Sequence, residues 1–169
     1  MGIALLVLFC FSLLADVSAA PGPKTVSARV VAVHDGDTLS VVIGRREERV
    51  RLIGIDAPEL GQRPWGANAK KYLRELVTLS GNSVVLEFDL DKRDKYGRLL
   101  AYVRTLDNTL INLEMVRNGY AALYTLPPNV KYADRLREGQ RYAREGGLGI
   151  WGKGGPKEMP RDYRREHQR

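Results

Sequence analysis

A small β-barrel carrying helices is the fold class that the sequence predicts, and three observations predict it. Five short stretches rich in β-branched and alternating apolar residues are separated by turns bearing Gly or Asp. One amphipathic stretch, Trp65 to Leu79, falls between the third and the fourth of them. A chain of 169 residues that is 44% hydrophobic has room for one domain with a real core and little else.

Val26 to Val33 is the first expected strand, preceded by the flexible lead-in Pro21-Gly22-Pro23. Asp35-Gly36-Asp37 is a turn signal, and Thr38 to Ile43 is the second strand. Gly44 and the charged run Arg45 to Arg49 read as a turn, and Val50 to Ile55 as the third strand. From Trp65 to Leu79 the period changes. Ala69, Tyr72, Leu73, Leu76 and Val77 share one helical face, while Lys70, Lys71, Arg74 and Glu75 lie mostly on the other, and Gly81 stops the helix. Val84 to Phe88 and Arg98 to Arg104 are the fourth and fifth strands, joined by the charged, turn-prone segment Asp89 to Gly97.

Leu110 to Asn118 is a short helix with Leu110, Leu113 and Val116 inward, and Tyr132 to Glu145 is another, ended by Gly146-Gly147. Five strands with a helix between the third and fourth is the order of an OB-fold barrel, here with three helices in all. A small α+β sheet has the same string. No internal repeat is visible.

The ends differ in kind. Ile3 to Leu14 is apolar but short for a membrane span, and small residues precede Ala20. Residues 1–20 are therefore expected to be a signal peptide cleaved after Ala19 or Ala20, although no Lys or Arg precedes the apolar run. The mature chain would then be secreted or periplasmic, with no membrane span. The alternative is an uncleaved N-terminal membrane anchor. Cys10, the only cysteine, lies in this segment, so its removal would exclude disulfides, thiol catalysis and a thiolate metal site. Residues 21–152 form the expected domain. Residues 153–169 are charged and poor in apolar side chains, and a basic, disordered tail is expected there.

A net charge of +7 and a pI near 9.7 suggest a polyanionic partner, which on charge alone can be nucleic acid, anionic membrane or acidic polysaccharide. The chemistry lies in acids and arginines placed where strands turn or end. Asp37 begins one strand and Asp56 ends the next, so an antiparallel meander can set them face to face. Two carboxylates with a backbone carbonyl and waters suit Ca²⁺. There is no His pair or Cys cluster to suit zinc, and His34 reads as structural.

Glu59 lies three residues beyond Asp56, where a carboxylate can take a proton from a polarised water. Arg51 and Arg98 can each grip a phosphate through a planar fork that Lys lacks. Taken singly, Asp-Gly-Asp is a common solvated turn, Glu59 a common loop residue and each Arg a common surface charge. The joint pattern carries the reading.

Three ordered motifs, Asp35-Gly36-Asp37-Thr38, Arg51 through Asp56-Ala57-Pro58-Glu59, and Asp94-Lys95-Tyr96-Gly97-Arg98, resemble those of the staphylococcal nuclease family, the thermonucleases. The resemblance runs from about Val26 to Trp151 and includes Leu148-Gly149-Ile150-Trp151. It implies a five-stranded OB barrel with three helices. It also implies Ca²⁺-dependent, sugar-nonspecific hydrolysis of DNA and RNA, leaving 3′-phosphate and 5′-hydroxyl ends.

By the same resemblance, Asp37, Asp56 and the Ala57 carbonyl would hold the metal, and Asp35 would support them. Glu59 would be the general base, or would position the metal and water. Arg51 and Arg98 would hold the scissile phosphate. Lys95, Tyr96 and Tyr124 would contact bound nucleotide. Two departures stand out. A second family aromatic falls on Leu126, which weakens base stacking, and the loop after Glu59 is shorter.

The leading expectation is thus an endonuclease acting as a monomer with no stable protein partner. A non-catalytic OB-fold module that binds nucleic acid or protein is the alternative. Retention of Asp37, Asp56, Arg51, Glu59 and Arg98 argues against it.

Overall fold

Short turns oblige consecutive strands to pair with their neighbours. The computed structural model, which describes residues 24–167, follows that rule. The expected signal peptide (residues 1–20) and Cys10 lie outside the described residues. Strand β1 (Thr25–Val33) pairs antiparallel with β2 (Thr38–Ile43), with a bulge between Val30 and Ala32. β2 pairs antiparallel with β3 (Arg46–Leu52), placing Thr38 opposite Arg51.

After β4 (Gly54–Asp56) and helix α1 (Trp65–Leu79), β5 (Ser83–Glu87) returns to pair with β1. β6 (Leu99–Arg104) lies antiparallel to β5 and parallel to β3. The order β1-β2-β3-β6-β5 closes on itself, giving the expected five-stranded OB barrel. Closure leaves the barrel with no free edge.

Inward-facing Leu39, Val41, Val50, Leu52, Val84, Leu86, Ala101 and Val103 fill the barrel. Helix α1 buries Ala69, Leu73 and Val77 as its periodicity predicts, while Tyr72 and Leu76 sit at the margin of the core. Helix α2 (Ile111–Arg117) buries Ile111, Met115 and Val116. Helix α3 (Ala133–Glu145) buries Leu136, Gly139 and Ala143.

Three expectations are corrected. The expected third strand, Val50 to Ile55, is two elements. β3 ends at Leu52, and β4 leaves the barrel to pair with β7 (Ala122–Tyr124). Gly54 makes the break, because its φ of +79° is a conformation that side chains rarely adopt. Fully buried Asn112 fixes it, accepting a hydrogen bond from Val103 N and donating one to the Ile53 carbonyl, each 2.8 Å long. The charged run at Arg45 to Arg49 is mostly strand, since the hairpin turns on Gly44 and β3 begins at Arg46.

The third correction concerns residues 153–167, expected to be poorly ordered. They carry a fourth helix, α4 (Pro160–His167). Polar and ionic contacts hold this segment. Gln62 Nε2 donates to the Glu158 carbonyl at 2.9 Å, and Arg164 pairs with Asp56 and Glu59. Composition does not report contacts of that kind. Among the described residues no helix is long and apolar enough to cross a membrane.

Candidate active site

The β2–β3 register places the first acid. Thr38 faces Arg51 across the hairpin, so Asp37, one residue earlier, lies beside the Arg51 side chain. Asp35 Oδ1 accepts the Asp37 N–H at 2.9 Å, which shapes the turn. Asp37 Oδ1 accepts from the Thr38 hydroxyl at 3.1 Å. Its Oδ2 accepts from the Ala57 N–H at 2.8 Å, tying the end of β4 to the start of β2.

Asp56 ends β4 and is 2% exposed; Asp37 is 4% exposed. One nitrogen of Arg51, Nη2, lies 3.1 Å from Asp37 Oδ2 and 3.3 Å from Asp56 Oδ1. The two acids do meet, with Arg51 between them, but Asp56 stands on β4, outside the β2–β3 hairpin, and the Ala57 N–H bond to Asp37 joins the two elements. The other Arg51 terminal nitrogen donates to the Leu52 carbonyl at 2.8 Å, which fixes the side chain's direction.

Glu59 sits in the loop before α1. Its N–H donates to Gln62 Oε1 at 3.0 Å, and its carbonyl accepts from the Gln62 N–H at 2.8 Å. Gly66, in the first turn of α1, lets the helix backbone press on the Glu59 carbonyl, where a Cβ would have no space. The Glu59 carboxylate is partly exposed, and Arg164 Nη1 holds it at 2.9 Å.

Arg98 lines the same cleft as Asp37 and Glu59. Asp94 organises this loop, accepting from the N–H groups of Tyr96 (2.9 Å) and Arg98 (3.0 Å) and from Arg98 Nε (2.7 Å). Among the described residues both terminal nitrogens of Arg98 lack a hydrogen-bond partner, so the outer edge of its fork remains open to an anion. Burial pushes the Asp94 carboxyl up, but its bonds from Arg98 outweigh this and hold it below the ordinary value.

Lys95, Tyr96 and Tyr124 line the same cleft as Asp37, Arg51, Glu59 and Arg98. Tyr96 stands 71% exposed at the rim, and Leu126, 63% exposed, sits where the second aromatic was expected. The cleft encloses about 1190 Å³. That exceeds the roughly 300–1,000 Å³ of sites closed around small ligands, and suits a polymer that enters and leaves.

The electrostatics ask for a cation. Burial pushes the Asp35 carboxyl up to about 6, and the Asp37 charge adds to the rise. Burial also raises Asp56, against the pull of Arg164 and Arg51. Asp37 and Asp56 converge, and the Ala57 carbonyl accepts no hydrogen bond among the described residues. These are hard oxygen donors, with neither Cys nor a free His among them. His34 is engaged with Ser40 Oγ at 2.9 Å. The set of two carboxylates and a carbonyl fits a hard divalent cation such as Ca²⁺, and among the described residues no group of three or more acidic, His or Cys side chains is placed to hold a metal ion.

Sequence reasoning left three contributors without a role. Asp94 belonged to a recognised motif, and its i,i+4 spacing from Arg98 was a usable signal. Gln62, three residues after Glu59, was a weaker one. Arg164 carried none.

The sequence profile described as "Staphylococcal nuclease homologue" matches residues 49–153. The chain is 37% identical over 127 residues to the thermonuclease of Staphylococcus intermedius, covering 72% of this chain and 74% of that one. It is 37% identical over 139 residues to the endonuclease YncB of Bacillus subtilis, covering 78% of this chain and 64% of the relative, so it spans just under two thirds of that protein's length. An uncharacterized endonuclease of Escherichia coli O157:H7 is 39% identical over 122 residues, covering 70% and 71% of the two chains. With the profile matching more than half of its length and an identity well above 30% to a relative it largely covers, this chain belongs to the staphylococcal nuclease homologue family.

Proposed function

We propose that this chain is a phosphodiester hydrolase that cleaves DNA and RNA with Ca²⁺, leaving 3′-phosphate and 5′-hydroxyl ends. One observation carries the reading. Two buried carboxylates, Asp37 and Asp56, meet at one nitrogen of Arg51, and Asp37 and Arg51 line a cleft whose walls also present Glu59 and the open fork of Arg98. The net charge of +7 draws a polyanion toward such a cleft through phosphate contacts, which carry little sequence preference. The thermonuclease and endonuclease names of the relatives point the same way.

Asp37, Asp56 and the Ala57 carbonyl are the residues to hold the ion. When bound, it supplies positive charge beside the scissile phosphate and makes a nearby water more acidic. Glu59 accepts the proton of the attacking water as its oxygen bonds to phosphorus. The bond from phosphorus to the 5′ oxygen then breaks, and that oxygen takes up a proton. Arg51 and Arg98 hold the non-bridging oxygens, whose charge grows in the transition state. Tyr124, Lys95 and Tyr96 guide the flanking nucleotide along the cleft. The enzyme acts as a monomer in the secreted or periplasmic space, a reading supported by the apolar run and small residues of the first twenty positions.

Purified protein incubated with single-stranded DNA at saturating Ca²⁺ is expected to cleave it, and chelator to stop cleavage. Glu59→Ala should slow turnover by about 10²- to 10⁴-fold while the fold survives. Absence of metal-dependent cleavage by the wild type, or full activity in Glu59→Ala, refutes the assignment.

A further inference from the structure

Helix α4 delivers a positive charge onto the two groups that the proposed chemistry needs free. Arg164 Nη2 is paired with Asp56 Oδ1, and Nη1 lies 2.9 Å from Glu59 Oε1. The Arg164 side chain is only 24% exposed, so this is a seated contact rather than a passing surface pair. The segment leading to it is anchored on the catalytic loop. Gln62 binds the Glu158 carbonyl, and the Tyr163 hydroxyl packs where a Cβ on Gly61 would stand. Pro160 is buried, and Arg161 lies 5.8 Å from the Tyr124 ring centroid.

A cation bound at Asp56 Oδ1 needs an oxygen at about 2.3–2.6 Å and a cleared approach. A guanidinium nitrogen on the same oxygen denies both. The other nitrogen occupies Glu59 Oε1, where an attacking water would have to donate. The three arginines of α4, Arg161, Arg164 and Arg165, also have the charge that a polyanion would draw away from the site.

We propose that residues 153–167 form an autoinhibitory strap. Arg164 occupies Asp56 and Glu59 in the resting protein, and Ca²⁺ and nucleic acid displace it. The strap rests on the reading of Asp56 and Glu59 as the residues serving the ion and the water. It raises the cation concentration that activity needs above what the carboxylates alone would require. A nuclease held this way stays closed where free Ca²⁺ is scarce and opens where it is plentiful.

The test uses the full chain, as wild type and as Arg164→Ala and Gly61→Leu. The first variant removes the competing charge, and the second wedges Tyr163 away from a different element. Without substrate, calorimetric titration should show both variants binding Ca²⁺ roughly 10- to 100-fold more tightly than the wild type, the worth of one or two charge-assisted hydrogen bonds. Hydrogen exchange should show wild-type amides of 161–167 protected without Ca²⁺ and exposed with it, and exposed throughout in Gly61→Leu.

On single-stranded DNA, Arg164→Ala should be the faster enzyme at limiting Ca²⁺ and equal the wild type at saturation. Equal Ca²⁺ affinities in proteins that bind Ca²⁺ and cleave DNA overturn the strap alone. Slower cleavage by Arg164→Ala at saturation also overturns it, and makes Arg164 a phosphate ligand. Absence of Ca²⁺ binding and cleavage in all three proteins overturns the proposed function and the strap with it.

Discussion

Replacing Gly66 by alanine tests whether the close approach of α1 to the Glu59 loop sets the position of the Glu59 carboxylate. Gly66 lies in the first turn of α1, and its N–H donates to the Gln62 carbonyl at 2.9 Å. A Cβ there would stand 2.5 Å from the Glu59 carbonyl carbon and 2.8 Å from the Leu60 Cα. Carbon atoms are comfortable at about 3.5 Å, so the loop must retreat by about 1 Å. The obstacle is backbone and cannot swing aside as the tip of a long side chain would.

A shift of that size at a catalytic group costs about 10²-fold in rate. Overpacking costs about 1–3 kcal/mol of stability. Removing a glycine from a helix returns roughly 0.5–1 kcal/mol, leaving a net loss of about 0.5–2 kcal/mol, or a fall in Tm of roughly 1–8 °C. Asp37 and Asp56 are held by other elements, so Ca²⁺ affinity should move less than kcat. Steady-state kinetics on single-stranded DNA at saturating Ca²⁺, beside a thermal melt, measure both quantities. A kcat within about twofold of wild type with an unchanged Tm would refute the claim that this contact positions Glu59.

Two further outcomes follow from the charge networks. Glu87 is buried against Arg104 (3.0 Å), Lys131 (2.5 Å) and the Tyr132 hydroxyl (2.9 Å). Burial pushes its carboxyl up, but these three partners outweigh it and hold the value below the ordinary one. A depressed carboxylate stabilises the fold above its unfolded value and loses that contribution as pH falls through the folded value. Glu87→Gln should therefore cost about 3 kcal/mol near pH 7, roughly 6–12 °C in Tm, with the gap narrowing below about pH 4. A pH-independent gap would contradict the network.

Asp94→Ala should free Arg98 and lower kcat by about 10²-fold while leaving Ca²⁺ affinity unchanged. Because Asp94 acts through Arg98, the double variant with Arg98→Ala should be no slower than Arg98→Ala alone. Additive losses would give Asp94 a separate role.

The helices α1, α2 and α3 and most barrel strands were legible because each buries one face at a fixed period, and that period is written in neighbouring residues. Asp37, Asp56, Arg51 and Arg98 were legible because barrel strands must end somewhere, and polar residues with suitable chemistry stood at those ends. The break at Ile53-Gly54 was hidden. It depends on Asn112, 59 positions from the carbonyl it holds, and no local pattern reports a hydrogen bond over that distance. The ordering of α4 was hidden for the same reason. A charged segment poor in apolar residues has little to bury, and its partners Glu59 and Asp56 lie 105 and 108 positions from Arg164.

By itself, then, the sequence determined the fold class, the order of strands and helices, and the identity of the acids and arginines, since secondary-structure period and side-chain chemistry are local properties. Only the tertiary structure decided which of those groups touch. It set one Arg51 nitrogen between Asp37 and Asp56, pressed Gly66 against the Glu59 carbonyl, and seated Arg164 on Asp56 and Glu59. Such contacts arise from closing the barrel and docking helices on it. They bring together residues whose separation along the chain carries no information about their separation in space.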